Sequence, residues 1–249
     1  MAKQSGLGDR LFVAGRNLSG DIGSIGRVGG GPAPLVVTGI DKSAEERIGG
    51  VRDGSIEFSA WFNPSAGQEH AALKLLPTAD VLVTYLRGTG IGSPAASCVA
   101  KQVNYDPDRG DDGAFAFGVQ ALADGFGVEW GDQLTAGVRT DTTATNGTAL
   151  DGVAASTFGF SAYLHVLSVA GTSVTVKLQE SSDNGVGDAF VDVVGGGFTA
   201  VTPAGAPTWQ RIAATPATLE RYVRVVTTGT FTSAAFVVAF TRHATAVTY

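Results

Sequence analysis

The clearest alternation of apolar and polar positions lies at residues 55–62, where Ile56, Phe58, Ala60 and Phe62 interleave with Ser55, Glu57, Ser59 and Trp61. A period of two places the first set on one face of a strand and the second on the other. One face is apolar throughout and the other is mixed. That suits a sheet with one side on a core and one against water or a partner. A glycine-interrupted basic loop, 47–54 (RIGGVRDG), feeds this strand, and Asn63-Pro64 ends it. Ser65 and Gln68 then stand at capping-box spacing, with Ala71, Ala72, Leu75 and Leu76 at helical spacing up to Pro77. This predicts one helix of about three turns.

Upstream, 11–13 reads as a short strand, 20–31 as a flexible glycine-rich loop and 35–38 as a strand. Ser43 and Glu46 offer a further capping box, so 41–48 reads as one helical turn ended by Gly49 and Gly50. Downstream, strand signals at 81–87 and 96–105 lead through the turn cluster 106–113 into 114–123, where Phe115, Phe117, Val119 and Ala121 share a face. The last three segments predict an antiparallel hairpin with a projecting acidic tip. Periodicity fades over 134–156, as in a linker or extended arm. Six strand signals follow, at 158–169, 172–180, 189–194, 209–213, 219–227 and 235–242, spaced as in an antiparallel sandwich or jelly roll. The fold class expected is mainly β, with an assembly domain over 1–140, a linker over 141–157 and a C-terminal antiparallel β-sandwich over 158–249.

Composition sharpens this picture. Charged residues make up 16% of the 249 and glycines number 35, which favours short strands and tight turns over helices. Sparse charge also lowers repulsion between identical subunits. The formal net charge of −6 argues against a basic groove wrapped around DNA, because such binding depends on Lys and Arg displacing counterions. The N-terminal segment lacks the apolar run of a signal peptide, and no stretch approaches the roughly 20 apolar residues of a membrane span, so a soluble chain made in the cytoplasm is expected. The single cysteine, Cys98, reads as a small buried hydrophobe in a strand.

Candidate chemistry is thin. Asp106, Asp108, Asp111 and Asp112 look superficially like a calcium loop, but no acidic residue closes it at the required distance. His70, His165 and His243 are far apart and have no neighbouring ligand residues; His70 is expected on the exposed side of its helix and His165 within a strand. A Gly-x-Ser-x-Gly elbow is absent, and the glycines at 20, 23, 26 and 29 are not followed by the Lys-Ser/Thr of a phosphate loop. Trp61, Trp130 and Trp209 read as core or interface anchors. Neither catalytic residues, cofactor nor metal is expected.

The ordered motifs carry more. They are Gly8-Asp9, LSGDI (18–22), TGID (38–41), 47–64, NYDPDRG (104–110), GFGVEWGDQLTAG (125–137), ESSDNG (180–185) and RYVRVVTTGTFT (221–232). In this order the chain resembles the major tail proteins, or tail tube subunits, of long-tailed bacteriophages, and more narrowly those of phages infecting actinobacteria. The resemblance implies a tail-tube-type β-sandwich or barrel with one helix that joins copies of itself into rings, usually hexameric, stacked into a tube. Double-stranded DNA would pass through without specific binding. It implies a structural virion protein with no enzymatic activity, located in the phage tail and contacting other tail proteins. Carried onto this chain, it makes 47–54 and 106–113 the inter-ring loops, with Arg47, Arg52, Asp53, Asp106, Asp108, Arg109, Asp111 and Asp112 as inter-subunit candidates. Residues 1–9 would be a docking arm, and the C-terminal sandwich would decorate the tube exterior. The alternative is a virion decoration or fibre protein whose sandwich binds glycans.

Overall fold

The computed structural model describes residues 5–76 and 78–247. Residues 1–4 of the expected docking arm, and Pro77 after the helix, lie outside the described residues. The N-terminal half contributes strands β1 (Arg10–Val13), β2 (Arg16–Asn17), β3 (Ile22–Val36) and β4 (Arg47–Trp61), then helix α1 (Glu69–Leu73). Strands β5 (Val81–Leu86), β6 (Pro94–Gln102), β7 (Asp106–Arg109) and β8 (Phe115–Gln133) complete it. They pair antiparallel in the order β3-β4-β8-β6-β5-β1-β2, with β7 also laid along β8.

Alternation gives this sheet two apolar faces. On one, Leu11 and Val13 of β1, Val83 of β5, Phe58 of β4 and Val119 of β8 gather in a single cluster with Leu73 of α1. Residues from well-separated strands meet there, so the sheet curls around its own core. On the other face, Phe12, Leu82, Leu86, Ala95 and Val99 meet Tyr163, Val237 and Ala239 from the C-terminal half.

The C-terminal half comprises β9 (Arg139–Asp141), β10 (Leu150–Asp151), β11 (Phe160–Ser181), β12 (Val191–Gly197), β13 (Thr208–Ala214) and β14 (Tyr222–Arg242). Strands β11 and β14 pair from Phe160↔Arg242 to Ser181↔Tyr222, with register shifts between residues 166 and 173 of β11. At this corner Gly171 and Gly229 adopt φ of +121° and +116°, a backbone conformation that side chains disfavour. The bend lets one strand pair serve two sheets: β13 flanks the first half of β11 and β12 flanks the second. Between them, Leu164, Val166, Val238 and Phe240 face Val176, Leu178, Val223 and Val225 in a closed apolar core. Residues 141–157 run along β14, paired through β9, β10 and the bridge Asn146↔Val226.

Several local expectations change. The segment 20–31 is not a loop, because β3 begins at Ile22 and runs through it. Glycine carries no side chain to alternate, so the strand is recognised by its partner. Gly30 passes so close to β4 that an added Cβ would lie 2.2 Å from the Asp53 carbonyl oxygen. The loop expected at 47–54 is the first half of β4; of the helical turn expected at 41–48, residues 41–46 make turns and bends and 47–48 already belong to β4. Helix α1 has five residues where about three turns were expected. Asn63 Oδ1 accepts the Ser65 N–H at 3.2 Å and Gly67 has φ +77°, so the chain is still turning where the helix was expected to start. The segments 158–169 and 172–180 are one strand, as are 219–227 and 235–242.

Candidate functional site

Pairing between β3 and β4 continues to Val36↔Arg47, whereas β4 leaves β8 after Ser55↔Leu122. Beyond that point the hairpin is a two-stranded arm. Residues 30–53 are all exposed apart from Thr38 and Gly50, among them Leu35, Val36, Val37, Ile40, Ile48 and Val51. A lone two-stranded ribbon is marginal in water, and its open edges present unpaired N–H and C=O groups to any chain that can pair with them. An arm of this composition is suited to being covered by another molecule.

The expected inter-subunit residues fall into two groups. On the arm, Arg47 is ion-paired with Glu45 and fully on the surface. Arg52 lies at the root, its Nη1 3.6 Å from Glu129 Oε1, and Asp53 Oδ1 accepts the Gly54 N–H at 2.7 Å. The second group occupies the β7–β8 hairpin. There Asp106 accepts from Asn104 Nδ2 at 2.8 Å, Asp112 accepts the Ala114 N–H at 3.0 Å, and Asp108, Arg109 and Asp111 are exposed. Trp61 pairs with Ala116, so this hairpin lies at the opposite end of β4 from the arm. The fold separates the two groups within one chain.

An aromatic cluster, not singled out in the sequence, sits beside the second group. Tyr105 stacks on Phe117 at 4.0 Å between centroids, and Phe62 touches His70, Phe115 and Phe117. His70 is half-buried, Nδ1 2.9 Å from the Tyr105 hydroxyl, where an exposed position was expected. Burial, with Glu69 nearby, pushes the Tyr105 phenol well above its ordinary value. Phe62 and Phe115 keep 40% and 37% of their surface exposed, and Trp61 keeps 50% on the opposite face of the same end. The signal in the sequence was the matching alternation of 56–62 and 115–121.

The seam between the halves is polar at two points. His165 is fully buried, with Nδ1 accepting the Gly15 N–H at 3.1 Å and Nε2 2.9 Å from Thr84 Oγ1. An N–H can only donate, so the His165 proton sits on Nε2, which donates to Thr84 Oγ1, and that hydroxyl in turn reaches Ser97 Oγ at 3.0 Å. Burial holds the imidazole at about 3, far below its ordinary 6.5, so it is neutral. At the second point the buried Glu129 carboxylate accepts from the Tyr163 hydroxyl and lies 4.0 Å from both Arg211 Nη2 and His243 Nε2. Arg211 stacks on Phe126 at 3.7 Å and donates to Ser161 Oγ at 3.1 Å. Above this cluster is a cleft of about 320 Å³ bordered by Arg52, Trp130 and residues 241–245.

Ser161, His243 and Glu129 are the residue types of a nucleophile triad, but their geometry is not that of one. Ser161 Oγ and Glu129 both approach Nε2 of His243, while Nδ1 faces the Phe158 carbonyl. A triad needs the acid on one ring nitrogen and the nucleophile on the other. Ser161 is also fully buried. Cys98 is buried as expected, and burial pushes its thiol up to about 12. Among the described residues, no three His, Cys, Asp or Glu side chains converge as a metal site.

No protein-family model and no curated protein sequence matches the chain. Among solved structures, it is similar to a protein in the tail of an empty gene transfer agent particle with C6 symmetry. The identity is 16% and the TM-score 0.41, over 51% of this chain and 98% of that one. A chain in the virion of the native gene transfer agent gives 14% and 0.40 over the same shares. The Dit protein of phage SPP1, described as part of a hub adsorption apparatus, gives 14% and 0.32 over 94% of this chain and 99% of that one.

Proposed function

We propose that this protein is a structural component of a phage tail, and within it a tube subunit that associates with copies of itself into stacked rings. The observation that carries the reading is the arm: a two-stranded, apolar hairpin with open edges, unsupported by its own body. Its second strand begins the 47–64 segment, one of the motifs whose order carries the resemblance to tail tube subunits. Pairing between neighbouring copies would satisfy the edges and bury the aliphatic side chains. Heterologous contacts of this kind close into rings or extend into filaments. The reading assigns no catalytic step, and the DNA inside would move along a wall that does not bind it. The C-terminal sandwich is then the outer part of the subunit.

Electron microscopy of the purified, concentrated protein tests this. Uniform rings or tubes are expected. A species that stays monomeric at every concentration and salt condition would refute the tube reading.

A further inference from the structure

The cleft above the Glu129 cluster belongs to neither half alone. Arg52 and Asp53 at the root of the arm border it on one side, residues 126–130 of β8 on a second, and the chain leaving β14 on a third. We infer that this cleft is a saccharide-binding site, sized for a mono- or disaccharide unit. The inference goes beyond the tube reading and does not depend on it.

Charge narrows the ligand. The lining holds two arginines, Arg52 and Arg242, and two acids, Asp53 and Glu129. An ion of either sign meets as much repulsion there as attraction, and a purely apolar ligand would bury charged groups without partners. A neutral ligand dense in hydroxyl groups meets both the guanidinium donors and the carboxylate acceptors. These groups are set before a ligand arrives: Arg242 donates to the carbonyls of Leu219, Glu220 and Arg221, and Arg52 Nη1 lies 3.6 Å from Glu129 Oε1. Asp53 spends Oδ1 on the Gly54 N–H, and its Oδ2 has no partner among the described residues. The backbone adds further groups. Strand β4 leaves β8 after Leu122 and β14 meets the same edge only at Asp132 and Gln133, so no strand pairs with that edge between them. Peptide N–H and C=O groups left without a strand are the kind that fix a small polar ligand.

Trp130 supplies the apolar part. It lines the cleft and keeps 49% of its surface exposed, and Tyr85 packs perpendicular to it, 6.4 Å between centroids, which fixes the plane of the indole. An aromatic face carries partial negative charge. The C–H groups on one face of a pyranose ring are apolar and weakly positive, so the two stack while the ring hydroxyls turn to the polar walls. The volume agrees: about 320 Å³ stands at the low end of the roughly 300–1,000 Å³ of small-ligand pockets.

The test uses the full chain with glucose, N-acetylglucosamine, cellobiose and chitobiose as probes. Saturation-transfer NMR detects binding, and titration followed by tryptophan fluorescence gives the Kd. At least one probe should bind with a Kd of about 1 mM or tighter. Trp130→Ala and Asp53→Ala should each weaken that binding about tenfold or more. Trp61→Ala removes an equally exposed indole at the far end of β4 and should leave it unchanged. Thermal unfolding checks that each variant keeps its fold; Asp53 is exposed, so its variant carries the test even where Trp130→Ala fails to fold. Three results would overturn the site: no saturation transfer to any of the four probes, binding that survives the Asp53 or Trp130 substitution, or an equal loss in Trp61→Ala. None of them bears on whether the protein forms rings.

Discussion

Replacing His165 with Leu should make the protein less stable at neutral pH and comparatively more stable in acid. Leucine is apolar and similar in bulk, so the chief loss at pH 8 is the acceptor for the Gly15 N–H. An orphaned buried donor costs about 1–3 kcal/mol. Acid adds a second effect of opposite sign. The folded-state imidazole titrates at about 3 and the unfolded one near 6.5, so the unfolded chain takes up the proton first. Wild-type stability from this group is complete above pH 6.5 and declines as the pH falls towards 3. At pH 4 linkage puts the decline at about 3 kcal/mol, using about 1.4 kcal/mol per unit. H165L lacks the titrating group and escapes that decline. Its stability curve should therefore cross that of the wild type between about pH 4 and 6. His243, whose burial also lowers its titration, is common to both proteins and drops out of the difference. Urea unfolding at pH 8, 6.5, 5 and 4 measures the two curves. Parallel curves across this range would refute the buried, neutral assignment of His165.

Three further outcomes follow from the same geometry. Arg211→Leu should destabilise by about 1–3 kcal/mol in denaturant titration, because the buried Glu129 loses one neighbouring guanidinium while Arg52 stays 3.6 Å away; pairing the change with Glu129→Gln should recover a large part. Gly15→Ala should cost about 2–4 kcal/mol in thermal unfolding, since φ is +80° and the new Cβ would meet the Thr208 backbone at 2.5 Å. Leu178→Ala should cost about 2–5 kcal/mol while leaving assembled particles, viewed by electron microscopy, unchanged in form, because the cavity opens inside the closed C-terminal core.

Side-chain alternation made the mainly β architecture legible wherever side chains existed to alternate. Ile56, Phe58 and Ala60 face the core as their spacing requires, and Phe117, Val119 and Ala121 face it beside them. The glycine-rich half of the arm was hidden for the same reason in reverse. Gly29, Gly30 and Gly31 say nothing about faces, and their strand state comes from pairing with Ser55, Gly54 and Asp53 across the hairpin. Sequence spacing also cut β11 and β14 in two, since a glycine inside an apolar run reads as a turn. In the fold Gly171 and Gly229 bend strands that continue. The eight charged candidates were expected on an exposed loop and an exposed hairpin tip, but their separation to opposite ends of β4 depends on register. The seam was beyond reach because His165, Thr84 and Gly15 are joined by tertiary packing alone.

The long β11–β14 strand pair has a mechanical weak point that its polar residues guard. Its chain ends, Phe160 and Arg242, are paired side by side, so tension on the chain entering and leaving would peel rungs one at a time from that end. A polar cluster sits there: Arg242 donates to the carbonyls of Leu219, Glu220 and Arg221, and the Ser156 hydroxyl donates to the His243 carbonyl. These bonds tie the last rungs to two other segments, 219–221 and the stretch around Ser156. A force that would unzip a bare strand pair must here break several bonds, three of them from the Arg242 guanidinium, before the first rung opens, so this pair yields late and all at once.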